Sequence, residues 1–80
     1  MQANRIEAAP VALVGMELRA GVVIAARHNH RGDLILLCAT YSGAPFVTGR
    51  ADANSLLNRE WYWGHYHESM VEALTDFETR

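Results

Sequence analysis

Apolar runs broken by turn-forming clusters divide the chain into four extended segments and one helix. Residues 18–27 are rich in β-branched side chains and end at Asn29-His30-Arg31-Gly32-Asp33, whose Gly and Asn content predicts a turn. Residues 33–41 predict a second strand, closed by Ser42-Gly43-Ala44-Pro45. Residues 46–50 predict a short third. After a polar loop around residues 52–55, the aromatic run from Glu60 to Tyr66 predicts a fourth. Ser69-Met70-Val71-Glu72 matches a capping box, and Met70, Ala73, Leu74 and Phe77 then recur at helical spacing, so a helix is expected from there to Thr79. The segment before residue 18 reads as a strand or an irregular lead-in, because Pro10, Gly15 and Gly21 oppose a long helix. The expected fold is α+β, an antiparallel sheet of three to four strands with the C-terminal helix packed on one face.

A sheet covered on one face should alternate apolar with polar residues. These strands do not. Leu34, Leu36 and Cys38 oppose Ile35, Leu37 and Ala39, and Trp61, Trp63 and His65 oppose Tyr62 and Tyr66. One ten-residue helix covers one face of such a sheet. The other needs the first seventeen residues or another chain. Burying about 500 Å² per partner would contribute on the order of 12 kcal/mol gross, against association costs of roughly 4–15 kcal/mol.

Length and charge narrow the reading. Eighty residues and 8.9 kDa allow one domain, residues 1–80, with a thin core. The net charge is −2: residues 1–50 carry +2 and residues 51–80 carry −4, with every basic residue an Arg. A chain that grips nucleic acid concentrates positive charge on one face, and direct nucleic-acid binding is therefore not expected. Glu17, Arg19 and Arg27 interrupt the most apolar stretch, leaving no membrane span, and Met1–Glu7 lacks the apolar core of a secretion signal. The lone Cys38 excludes an internal disulfide. A cytoplasmic protein is expected.

Candidate chemistry is sparse. His28-Asn29-His30 and His65-Tyr66-His67 are H-x-H pairs, and on a strand that spacing aims both imidazoles to one side, where they could ligate a transition metal. The first pair falls at a turn and His67 at a strand end, where histidines are commonly solvated, so the structural reading is preferred and no metal is expected. Cys38 sits between Leu37 and Ala39 with no base nearby and reads as core. Arg31-Gly32-Asp33 reads as a hairpin turn. No phosphate-binding Gly loop, HExxH or nucleophile elbow occurs, so the chain is expected to be no enzyme and to need no cofactor. Glu68, Glu72 and Asp76 fall at i, i+4 and i+8, an acidic stripe that is either a solvated face or a contact for a basic groove.

Phe46-Val47-Thr48, then Trp61-Tyr62-Trp63-Gly64-His65-Tyr66, then Glu72-Ala73-Leu74-Thr75-Asp76-Phe77-Glu78-Thr79-Arg80 resembles the C-terminal half of small accessory proteins carried on phages, plasmids and integrated elements. The resemblance covers residues 45–80. Proteins of that size and origin include anti-CRISPR inhibitors, and it implies a non-enzymatic protein that binds a Cas subunit or CRISPR complex in a bacterial host. Its partner-binding residues are then Trp61, Tyr62, Trp63 and Tyr66 as apolar anchors and Glu68, Glu72 and Asp76 as charge partners. Two alternatives remain: a homodimeric structural or regulatory accessory protein of a mobile element, and a metal-binding enzyme or sensor using the histidine pairs.

Overall fold

The structure is a computed structural model and describes residues 10–80. Its α+β architecture is a four-stranded antiparallel meander, β1 (Gly21–His28), β2 (Leu34–Thr40), β3 (Phe46–Ala51) and β4 (Tyr62–His67), in spatial order 1-2-3-4. A short helix α1 (Ala53–Leu57) links β3 to β4, and helix α2 (Met70–Thr79) follows β4. Before β1 the chain makes a 3-10 turn at Pro10–Leu13 rather than a strand, and β1 begins at Gly21, three residues later than its apolar pattern suggests. The stretch of the lead-in before Pro10, with the region weighed as a secretion signal, lies outside the described residues. Among the described residues no helix is long and apolar enough to cross a membrane.

Both faces of the sheet are covered by this chain. On one, Ile35 and Leu37 pack with Ala73 and Phe77 of α2, flanked by Ile24, Ala25 and Phe46. On the other, Leu34, Leu36, Cys38, Val23, Val47 and Leu18 form a second core, against which Leu13, Met16, Leu56 and Trp61 lie. The apolar residues on both sides of β2 are thus accounted for internally. The lead-in supplies part of the cover, as one of the two sequence alternatives requires, and α1 with Trp61 supplies the rest. Gly49 makes room for this: a Cβ there would meet the Trp61 ring at 3.0 Å.

Local chemistry explains the connections. In the β1–β2 turn, the Asn29 Oδ1 accepts from the backbone N–H groups of Arg31 and Asp33, both at 2.9 Å, and Gly32 takes a φ of 84°. Arg31-Gly32-Asp33 is therefore part of a hairpin turn. The Asn29 amide also donates to the Arg80 carbonyl at 3.0 Å, tying that hairpin to the end of α2.

Two helix details differ from the sequence pattern. The polar stretch at 52–55 is a helix start, where Asp52 accepts from the Ser55 N–H at 2.7 Å and the Ser55 hydroxyl accepts from the Asp52 N–H at 2.9 Å. Five residues are too few for apolar periodicity to reveal the helix. At α2 the Ser69 hydroxyl accepts from the Glu72 N–H at 3.2 Å, but no return bond from Glu72 is made. Of the four residues expected to dock α2, Ala73 and Phe77 are buried, whereas Met70 and Leu74 stay exposed. The helix is rotated so that Asp76 and Arg80 share the docking side.

Candidate protein-binding surface

That rotation brings together a polar cluster between α2 and the sheet. Alternation along the sheet puts Thr48, His65 and His67 on the α2 side, since Thr48 pairs with His65 and Phe46 with His67. Asp76 comes down onto them. Its Oδ2 lies 2.9 Å from His65 Nδ1 and 3.4 Å from His67 Nε2, and it accepts from the buried Thr48 hydroxyl. Thr48 Oγ1 is also 3.1 Å from His67 Nε2. The hydroxyl has one proton and gives it to Asp76, so its oxygen accepts from His67, which assigns the proton of His67 to Nε2. Arg80 completes the clasp, donating to the Thr48 carbonyl at 2.7 Å and the Trp63 carbonyl at 2.8 Å.

The H-x-H spacing of β4 does aim two imidazoles at one side, but they converge on a carboxylate of α2. Among the described residues no group of three or more His, Cys, Asp and Glu is arranged to hold a metal ion. Burial pulls the Asp76 pKa upward, yet the bonds from Thr48 and His65 and the charges of His65 and Arg80 outweigh it and hold the carboxyl below its ordinary value. The sequence puts Asp76 on an acidic stripe with Glu68 and Glu72, as a charge partner for a basic groove. Asp76 instead fastens the helix, because it neighbours Ala73 and Phe77 on the side that meets the sheet, and of the three only Glu68 and Glu72 are exposed.

The four aromatic anchors divide as well. Trp61 packs against the second core and donates from Nε1 to the Tyr66 hydroxyl at 3.3 Å. Trp63 is 68% exposed and Tyr66 60%, while Tyr62 meets Trp63 edge to face at 5.4 Å. Trp63 occupies a register shift between β3 and β4 and has a φ of 53°, where a bulky side chain is strained by roughly 1–3 kcal/mol. The Arg50 guanidinium sits 5.2 Å from its ring centroid and Arg80 holds its carbonyl. On α2, Met70, Val71 and Leu74 are exposed, as are Glu72 and the preceding Glu68.

Sequence reasoning did not connect Thr48, His65, His67 and Arg80 to this surface. The available signal was the spacing of Ala73, Asp76, Phe77 and Arg80, which puts two charged residues on the same side as two apolar ones.

Cys38 lies on the opposite face, fully buried, and burial pushes its thiol up to about 12. A thiol so held is expected to react with a disulfide reagent at pH 8 only after denaturation. Stoichiometric labelling of the native chain within minutes would show that the second core opens.

Compared with known protein families, curated proteins and solved structures, the chain matches none of them.

Proposed function

We propose that the chain is a non-enzymatic protein-binding inhibitor from a mobile element, acting on a bacterial CRISPR-Cas complex through β4 and the outer side of α2. The observation that carries the protein-binding reading is Trp63. A large indole kept in water, on a backbone conformation that a bulky residue adopts only at a cost, serves folding poorly and a contact well. Tyr66, Val71 and Leu74 are further exposed apolar side chains of β4 and α2, and the exposed Glu68 and Glu72 add charge suited to a basic groove that otherwise holds nucleic acid. The CRISPR assignment follows from the resemblance of residues 45–80 to small mobile-element proteins.

The homodimer alternative drew its force from an uncovered apolar face. The same face was the sequence argument for any outside chain; Leu13, Met16, Leu18, Leu56 and Trp61 lie on it, so neither a second copy nor a host protein is needed to cover it, and the protein-binding reading rests on Trp63 alone.

The test is a target-DNA binding and cleavage assay with purified CRISPR complexes of several types, with the chain added in excess. Inhibition of at least one complex is expected, and inhibition of none removes the assignment. Neutralising the exposed pair, Glu68→Gln with Glu72→Gln, is expected to weaken inhibition at least about tenfold while changing stability by less than about 1 kcal/mol, the loss of favourable charge at the start of α2. Full inhibition by this variant, with its melting temperature unchanged, would refute the acidic contact.

A further inference from the structure

The backbone hydrogen bonds define which groups of each strand face outward. The Thr40 N–H donates to the Pro45 carbonyl at 2.9 Å, so residues 45, 47, 49 and 51 of the third strand face β2 and residues 46 and 48 face β4. Phe46 and Thr48 pair with His67 and His65, which therefore bond inward. Gly64 and Tyr66 consequently turn their N–H and C=O groups away from the sheet. The same alternation turns Gly21 and Val23 outward on β1, and there the groups are taken: Leu18 donates to Gly21 at 2.8 Å, Gly15 to Val23 at 2.7 Å, and Val23 to Met16 at 3.0 Å. Among the described residues nothing pairs with the outward groups of Gly64 and Tyr66.

Beside this edge runs a shallow groove of about 520 Å³ between β4 and α2, lined by Tyr66, His67, Val71, Glu72 and Asp76 among others. Asp76 is already satisfied by Thr48 and His65. Glu72 is exposed, and among the described residues its carboxylate has no ion-pair partner. On the opposite side of the edge the Tyr66 ring stands beside Trp61.

From this juxtaposition we propose that β4 is extended by an added strand of a partner protein, a segment in which basic and apolar residues alternate. Its backbone pairs with Gly64 and Tyr66; its Arg or Lys side chains face α2 and meet Glu72, and its apolar side chains meet the Tyr66 ring. Charge selects this occupant over a second copy of the chain. Residues 62–67 contain no Arg or Lys, so the β4 strand of a second copy offers Glu72 no such side chain. The inference rests on the protein-binding reading and specifies what the partner presents.

A random octapeptide display library panned on the full chain tests it. Enriched peptides should alternate basic and apolar residues, and the selected peptide should slow amide exchange at Gly64 and Tyr66 of the wild-type chain, a readout that needs no variant. Glu72→Gln should weaken that peptide about five- to tenfold. Tyr66→Pro, which removes an outward N–H from an edge position where proline is tolerated, should weaken it more than about twentyfold. Enrichment of no peptide, enrichment without basic residues, or binding that leaves the two amides unprotected overturns the proposal. So does concentration-dependent protection of those amides in the chain alone, which would identify a second copy as the occupant. A Tyr66→Pro chain that still inhibits its complex sinks the added strand and leaves the inhibitor reading intact. A chain that takes the basic peptide yet inhibits no complex sinks only the latter.

Discussion

Asp76→Ala is expected to destabilise the fold by about 2–4 kcal/mol, because one carboxylate oxygen satisfies the buried Thr48 hydroxyl and His65. The loss should fall first on α2, whose apolar attachment consists mainly of Ala73 and Phe77. Amide exchange should rise along Met70–Thr79 more than along β2. The pH dependence has a defined sign. The Asp76 carboxyl is held below its ordinary value by Thr48, His65 and Arg80 acting against burial, so the unfolded chain takes up this proton at a higher pH than the folded chain. The stabilisation is complete above pH about 5 and is lost as the pH falls below about 4. Urea unfolding of wild type and Asp76→Ala should therefore differ most near neutrality and converge in acid. A constant gap from pH 7 to pH 3 would mean that the carboxylate charge contributes nothing.

The four strands could be read from the sequence because each apolar run ends at residues with a mechanical reason to turn, Asn29 and Gly32 after β1 and Ser42 to Pro45 after β2. The helix was marked by Ser69. Its rotation was not, since Leu74 and Asp76 are equally consistent with helical spacing, and the sequence does not say that Thr48 and His65 await a carboxylate on the sheet. The missing cover for the second face was also legible as a need but not as a structure. Leu13, Met16 and Leu18 lie in a segment with no regular period, and Leu56 sits in a helix of five residues. The candidate surface was read by residue type, which identifies aromatic side chains but cannot separate an indole that fills a core from one that meets water.

That separation gives the second large effect. Trp61→Ala should cost about 3 kcal/mol, within the range for truncating a large packed aromatic, because the ring covers Val47 and its neighbours and occupies the space left by Gly49 and Gly64. Trp63→Gly should behave in the opposite way. Glycine relieves the left-handed φ of 53°, which offsets the lost contacts with Arg50 and Tyr62, and the stability should remain within about 1 kcal/mol of wild type. Its partner affinity should nevertheless fall at least about thirtyfold, as expected for a central aromatic anchor. Denaturant midpoints and titration of the inhibited complex measure the two quantities separately. If Trp63→Gly unfolds as readily as Trp61→Ala, the indole is part of the fold, its strain has a structural purpose, and the surface built around it loses its centre.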